Sequence, residues 1–427
     1  MKRCCGCAAM LVTMLFASAC DAGGSPADAT QVEVRDSLGI ELVKNASPDQ
    51  MLELDRILNV GVIEGPEELQ FDGIAALAVD SIGGFWVVDR HASVRHYDSS
   101  GQYRGEVGGR GEGPGEAARY MGVWAGDGTV LLLGSPRRFQ LFSPEGDLVD
   151  EEVPAGGDGI LMRVLGRGEG RWIVTFERFL PAGADSFRQP VDITVSPAIS
   201  GPFVEIASFP GELSVSTGGA GTARGSYFHG TPDFAVDPRG ALLVSDTLRY
   251  RVEVYDLDGA LTRVVERAVP GRPYDPGWES AMEEALVAAF EAGPPGANLP
   301  PRTVNPAEVE PLMQRLVPSP PPEYLPVIDR LLVAADGSMW VERMDRHPEP
   351  AVRAVAHLVG GVRSGWRPEW FAPQTFDVFW PDGAYRGTVE LPAEVWPLAV
   401  TGDGMYGVFY DELGVESVVA FQIRAEN

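Results

Sequence analysis

Cysteine is scarce in this sequence and confined to one end. The four cysteines are Cys4, Cys5, Cys7 and Cys20, among 427 residues. A chain cut just before Cys20 keeps one cysteine and can form no internal disulfide. Disulfide-stapled folds and zinc sites built from cysteine pairs are therefore excluded for the mature protein. A domain of about 400 residues can be held together by apolar burial alone.

The sequence also has little that could cross a membrane, because a spanning helix takes about 20 apolar residues. The main apolar stretch runs only from Ala8 to Phe16, after the basic residues Lys2 and Arg3. A short apolar core between basic residues and small residues is typical of a secretory signal peptide. We therefore predict a signal peptide over residues 1–20 and export of the rest of the chain.

Two modes of cleavage fit the end of this segment, which reads Ala17-Ser18-Ala19-Cys20. Ala-x-Ala suits ordinary signal cleavage, whereas small residues directly before a cysteine resemble the lipobox of bacterial lipoproteins. Ala17 stands where such boxes usually carry a larger aliphatic residue, but Cys20 is the one cysteine that would survive. We expect lipidation at Cys20, a flexible tether over residues 21–31, and anchoring to a membrane of the cell envelope.

Positive charge is in short supply: 34 lysines and arginines face 61 aspartates and glutamates, for a net charge of -27. Such a surface repels nucleic acid and anionic lipid headgroups. We expect no nucleic-acid partner and no membrane contact beyond the lipid anchor. The acidic residues form no continuous run, which favours an ordinary soluble surface on a monomer over an acidic docking segment.

Motifs of known catalytic chemistry are missing as well. The sequence has no HExxH pair, no GxSxG nucleophile elbow and no complete calcium-binding loop. The glycine-rich stretch GGRGEGPGE lacks the Lys-Ser/Thr ending of a phosphate loop. The sequence therefore predicts no catalytic residue and no cofactor.

What the sequence does contain is a repeated unit of strands and Asp/Gly turns. Residues 74–108 and 231–266 are its clearest copies, and Asp80 precedes the equivalent Asp127 by about 47 residues, close to the length of a four-stranded propeller blade. Side chains alternate with a period of two, as in strands. We predict an all-β, six-bladed β-propeller over residues 32–427, with blades that start near Ile74, Met121, Ile160, Thr231, Val327 and Trp396.

The predicted ring closes through the N-terminal part of the domain. VGVIEGPEE at residues 60–68 echoes VGGRGEGPGE at residues 107–116, which leaves the outer strand of the first blade. By analogy, residues 56–62 form the outer strand of the last blade, so that no free sheet edge is left. The preceding segment VEVRDSLGIELVKN predicts a hairpin packed at that seam.

A proline-rich block at about 270–326 departs from the repeat and predicts a helical insertion between blades four and five. Two segments inside it have apolar residues at helical spacing. The predicted buried faces carry Met282, Leu286, Ala289 and Phe290 in one segment, and Val309, Leu312, Met313 and Leu316 in the other.

The runs FWVVDRHASVRHYDSSG, ALLVSDTLRYRVEVYDLDG and RGEGPGE resemble NHL-type six-bladed β-propellers of exported bacterial proteins. The resemblance covers nearly the whole chain after the signal peptide, although GSPRRFQLF and WIVTFERFL depart from the pattern. It implies a propeller fold but no single function, since propellers serve as binding platforms, scaffolds, lyases and lactone hydrolases.

Polar residues are predicted to gather on one face of the ring, where the loops between second and third strands and those between blades both open. Two copies of Asp-Arg-His follow second strands, in blades one and five. The candidate ligand-binding residues are Asp89, Arg90, His91, His229, Asp246, Arg249, Asp345, Arg346 and His347.

Two functions fit these observations. The first is an envelope-anchored propeller that binds or scaffolds a protein, peptide or glycan partner without catalysis. The alternative is a metal-dependent enzyme of the lyase or lactone-hydrolase kind, with a divalent ion held by His91, His229 and His347.

Overall fold

The computed structural model of the chain describes residues 32–89, 93–126, 128–135, 138–153, 160–178, 186–216, 222–224, 227–237, 239–292, 305–317, 320–360 and 372–424. The predicted signal peptide, the predicted tether and Cys20 lie outside these residues, so cleavage, lipidation and tethering stay predictions.

Three strands precede the repeated blades: β1 (Val32–Ser37), β2 (Ile40–Asn45) and β3 (Leu54–Val60). Blade one contains β4 (Ala76–Val79), β5 (Phe85–Val88), β6 (Val94–Tyr97) and β7 (Tyr103–Val107). Blade two contains β8 (Arg119–Gly126), β9 (Thr129–Ser135), β10 (Arg138–Phe142) and β11 (Leu148–Glu152). Blade three contains β12 (Ile160–Gly168), β13 (Arg171–Glu177), β14 (Ser186–Ser196), β15 (Val204–Ser216) and β16 (Thr222–Arg224).

The second half of the ring repeats this order. Blade four contains β17 (Phe234–Val236), β18 (Leu242–Asp246), β19 (Arg251–Tyr255) and β20 (Leu261–Arg267). Blade five contains β21 (Ile328–Val333), β22 (Met339–Arg343), β23 (Gln374–Phe379) and β24 (Tyr385–Leu391). Blade six contains β25 (Val395–Val400), β26 (Gly404–Tyr410) and β27 (Glu416–Ile423). The six sheets form the predicted six-bladed propeller, with innermost strands that begin within three residues of the predicted blade starts.

The N-terminal closure of the ring is confirmed. Strand β3 is the outermost strand of blade six and pairs antiparallel with β27, in a register that places Val60 opposite Val418. Both valines are buried, in an apolar cluster that also takes Phe85 and Tyr97 of blade one. The seam between the first and last blades is therefore part of the hydrophobic core.

The hairpin of β1 and β2 forms as predicted, but its predicted location is wrong. It extends blade four rather than the seam, because β2 pairs in parallel with β20, with Leu42 opposite Val264. Val43 is 1% exposed in a cluster with residues of blades four and five. The Asn45 side chain donates to the Gly383 carbonyl at 3.1 Å and accepts from the Tyr385 amide at 2.8 Å. These contacts hold the hairpin across blades four and five.

The predicted helical insertion is present between blades four and five as α1 (Trp278–Ala292) and α2 (Pro306–Leu316). Met282, Leu286, Val309 and Leu316 are buried, as their spacing predicted, and Leu312 and Met313 are partly buried. The side chains of Ala289 and Phe290 lie outside what the structure describes. None of the described helices has both the length and the apolar character that a membrane crossing requires.

A third helix, α3 (Pro350–Gly360), interrupts blade five between β22 and β23 and was not predicted. Its Ala354 and Val355 pack with Met282 and Leu286 of α1. The three helices share one apolar cluster, which rests on Phe228 and Met344 of the propeller loops.

The Asp/Gly turns of the repeat have a common hydrogen-bond pattern. In each, Oδ1 of the aspartate accepts from the backbone N–H groups two and four residues later. The pattern holds for Asp80, Asp98, Asp237, Asp256 and Asp411. The glycine that follows takes a positive φ, as Gly414 does at 78°.

Candidate functional site

The first Asp-Arg-His triplet is only partly described. Asp89 is 2% exposed, and its Oδ2 lies 3.2 Å from Nη1 of Arg95, which is also buried. The same Arg95 atom donates to the Gln70 carbonyl at 2.7 Å. Asp89 therefore takes part in a buried ion pair of blade one, and Arg90 and His91 lie outside the described residues.

The histidines predicted to share a metal make separate contacts where they are described. His229 Nε2 lies 3.1 Å from the Pro320 carbonyl. His347 is 5% exposed, and its Nδ1 accepts from the Glu349 amide at 3.2 Å. Burial, reinforced by the positive charge of Arg353, lowers the pKa of His347 to about 4.

Within the described ranges, no group of three or more His, Cys, Asp or Glu side chains is arranged to hold a metal ion. Since His91 lies outside these ranges, the three-histidine metal site stays a prediction. No observation on the described residues favours it.

The second triplet belongs to a charge network between blades four and five. Asp345 accepts two hydrogen bonds of 2.7 Å from Arg343, and Arg346 forms an ion pair with Asp49. At the centre of the network, the fully buried Asp377 accepts from Arg267 Nη1 at 2.6 Å, Arg343 Nη1 at 3.1 Å and the Tyr250 hydroxyl at 2.8 Å. Because these charged side chains pair with one another, we assign the network a structural role in holding the two blades together.

Asp246 and Arg249 lie at the edge of the same region. Asp246 Oδ1 accepts from the Leu248 amide at 3.1 Å, while Arg249 is exposed. Arg249 lines a groove of about 650 Å³ between the hairpin and blade four. Its other charges are largely paired: Glu266 lies 3.0 Å from Arg251 and 3.8 Å from Lys44.

A second cavity, with a volume of about 900 Å³, is the channel enclosed by the innermost strands of all six blades. Most of its wall is apolar and includes Val79, Val123, Val236 and Val333. A concave, mainly apolar space of this size with a few polar groups is the usual form of a small-molecule site.

Most charged side chains of the channel already have partners. Arg163 Nη1 lies 2.9 Å from Asp233 Oδ1, and the other oxygen of Asp233 accepts from the Leu331 amide at 2.9 Å. Asp237 pairs with Arg239 at 2.8 Å, and Asp80 lies 3.4 Å from His96 Nε2. These contacts tie neighbouring blades and turns together.

Arg167 is the exception among the channel arginines. Its Nε is buried without a hydrogen-bond acceptor, and no carboxylate of the described residues pairs with its guanidinium. The guanidinium lies over the ring of Trp172, 5.3 Å from its centroid. Arg167 is thus a cation placed in the channel by an aromatic ring rather than by an acid.

Sequence reasoning missed Arg167, although the repeat contains a signal for it. Arg167 stands opposite Trp172 in the pairing of β12 with β13. Other blades have an uncharged residue at this position of the innermost strand, opposite the aromatic of the second strand. These pairs are Ala78 with Trp86, Leu332 with Trp340, and Ala399 with Tyr406.

No protein-family model matches the chain, and no curated protein matches it. Among solved structures, the chain is similar to a protein of Bacteroides fragilis whose name describes it as expected to be exported. The two share 8% identity over 90% of this chain and 99% of that one, with a TM-score of 0.47. A member of the DUF4221 family from Bacteroides vulgatus shares 9% identity over 88% of this chain and 100% of its own, with a TM-score of 0.47.

A virginiamycin B lyase from Staphylococcus aureus shares 10% identity over 87% of this chain and 100% of its own, with a TM-score of 0.39. Similarities this low carry no information about ligand, reaction or location.

Proposed function

We propose that this chain is a non-catalytic binding module whose central channel receives the ligand, either a small molecule or the end of a peptide, protein segment or glycan. The observation that carries the proposal is the channel itself, a cavity of about 900 Å³ with a wall from every blade. A ligand held there contacts six independent strands, so its shape can be recognised from all sides.

The pairing of charges favours the channel, rather than the charge network between blades four and five, as the binding site. The charged residues of that network form ion pairs with one another, as in the triad of Asp377, Arg267 and Arg343. A ligand that bound there would have to break these pairs, which leaves buried charges uncompensated. In the channel, by contrast, a ligand can bind Arg167 without breaking an ion pair between described residues.

Export and lipid anchoring at Cys20 complete the proposed role, with the ring held at a membrane of the cell envelope. Both rest on the sequence of residues 1–31 alone. The expected absence of nucleic-acid partners and the expected monomeric state also stay predictions.

Filling the channel tests the proposal. Ala78 lines the channel and belongs to no apolar cluster between blades, so Ala78→Trp narrows the cavity without removing a core contact. Ala260 is exposed in the turn between β19 and β20 of blade four and does not line the channel, so Ala260→Trp is the matched control. A panel of monocarboxylates, sugar acids, amino acids and neutral sugars is screened by thermal shift, and hits are measured by isothermal titration calorimetry.

We expect at least one compound to bind with one-to-one stoichiometry, to lose affinity with Ala78→Trp and to keep it with Ala260→Trp. Hits that bind both variants as tightly as the parent protein would move the site out of the channel. A panel without hits would count against a small-molecule site altogether.

A further inference from the structure

We infer that Arg167 is an anion-recognition residue and that the ligand of the channel is a small organic acid, held by its carboxylate, phosphate or sulfate group. This inference rests on the proposed function, because it assigns a chemistry to the same cavity.

A buried guanidinium donor without an acceptor is costly, because the group gives up water without a replacement. The Nε of Arg267 is also buried without an acceptor, so what sets Arg167 apart is that its guanidinium has no carboxylate partner among the described residues. Arg267, Arg343 and Arg353 each pair with a carboxylate. Arg167 Nε is buried without such a partner, so an anion supplied from outside would complete the site.

The surroundings of Arg167 hold it ready for such an anion. Trp172 is 4% exposed and stacks beneath the guanidinium, which fixes one face of the group and leaves its edge for hydrogen bonds. Trp172 in turn meets Trp124 edge to face, with ring centroids 5.2 Å apart. Two aromatic side chains from neighbouring blades therefore position one cation.

Trp124 adds a second donor near Arg167. It lines the channel, and its indole Nε1 lies about 3.5 Å from where a Cβ of Gly166, the residue before Arg167, would stand. Among the described residues, this N–H donates no hydrogen bond. An arginine fork and a neighbouring N–H group together suit a two-oxygen or three-oxygen anion better than a halide ion.

Charge and wall composition define the rest of the ligand. The chain carries a net charge of -27, whereas Arg167 is a channel cation that, unlike Arg163, has no carboxylate partner among the described residues; it marks a local site for an anion on a protein that repels anions elsewhere. The valines and leucines that line the channel offer no hydrogen bonds to an inorganic ion. They fit an acid with an apolar body, such as a short aliphatic or aromatic carboxylate.

The test compares matched ligands that differ only in charge: hexanoate against hexanamide, and benzoate against benzamide, with inorganic phosphate and chloride as simple anions. We expect the acids to bind about 10- to 100-fold more tightly than the amides, the ratio that a charged hydrogen bond supplies. The difference should shrink as sodium chloride rises.

Three variants assign the effect to Arg167. Arg167→Gln should remove the preference for acids, and Arg167→Lys, which keeps the charge but not the fork, should restore part of it. Arg110, an exposed arginine outside the channel, supplies the control Arg110→Gln, which should bind as the parent protein does. Thermal unfolding of each variant checks that the fold is intact.

Several results would overturn the inference. If acids and amides bind equally and Ala78→Trp removes both, the channel is a binding site but not an anion site, and only the proposed function survives. If phosphate or chloride binds and no organic acid does, the apolar part of the ligand is wrong. If none of these probes binds the parent protein, the assignment of Arg167 fails, while neutral compounds of the larger panel still decide the proposed function.

Discussion

At the scale of single residues, aspartate and arginine do most of the structural work in this chain. Aspartates end the strands of the repeat and accept backbone N–H groups at the turns, as Asp411 does from Leu413 at 2.9 Å and Val415 at 2.8 Å. Arginines fill the buried networks, and Lys44 is the one lysine after Lys2. Arginine suits these positions because its planar fork can bind two acceptors at once.

The turn aspartates give a direct prediction. Asp411→Ala removes an acceptor from two backbone N–H groups in the turn of blade six, and we expect the free energy of unfolding to fall by about 1–2 kcal/mol. Asp411→Asn keeps an oxygen at the same place and should recover most of the loss. Urea unfolding followed by tryptophan fluorescence measures both, and equal stability of the alanine variant and the parent protein would contradict the role of the side chain.

At the scale of elements, α3 shows how tertiary contacts decide a helix that its sequence does not announce. Arg353 on α3 donates to Asp329 of β21 at 2.6 Å and to Glu342 of β22 at 3.3 Å. Burial alone would raise the pKa of Asp329, yet the charges of Arg353 and Arg330 hold it below its usual range. Charge therefore fixes the helix to the first two strands of blade five, while its apolar side chains pack with those of α1.

The start of α3 should make stability depend on pH through His347. Its folded-state pKa of about 4 lies below the ordinary value of 6.5, so the unfolded chain binds a proton first as the pH falls. Stability present at neutral pH is then lost as the pH drops through this window, by about 2 kcal/mol between pH 7 and pH 5.

His347→Gln removes the titrating group and should flatten this part of the pH profile. Urea unfolding at half-unit pH steps measures the slope for both proteins. An unchanged slope in the variant would show that other groups cause the loss. A loss that begins only below pH 4 would fit carboxylates instead.

Local sequence patterns predict the elements of the ring, but they do not predict pairings between residues that are distant in the chain. Blade starts and the closing strand follow from local alternation and from the echo of one glycine-rich segment, and they are confirmed. The parallel pairing of β2 with β20 has no local signal, because Leu42 and Val264 are far apart in the chain. Asp345 and Arg346 looked like free loop residues because their partners, Arg343 and Asp49, are set by the folded structure.

At the scale of the whole molecule, stability depends on the seam where β3 closes blade six. Val60 on β3 is 6% exposed in the core between blades six and one, whereas Ile57 on the same strand is 58% exposed. We expect Val60→Ala to lower the free energy of unfolding by about 1–3 kcal/mol, since it removes buried methyl groups from a packed site.

Ile57→Ala is the matched control and should change stability by less than about 0.5 kcal/mol. Urea unfolding of the two variants measures the difference. Equal and small effects would mean that β3 detaches before the ring unfolds, and that the seam does not limit global stability.

Because β3 and β27 lie at opposite ends of the domain sequence, this seam can form only late in synthesis. Asp55 of β3 and Arg424, just after β27, form an ion pair although they are 369 residues apart in sequence. A ribosome makes β3 among the first parts of the domain and its partner among the last. A product that stops before residue 416 leaves β3 without its neighbour and blade six with an open edge, a target for proteases. Ring closure therefore doubles as a check that synthesis has run to completion.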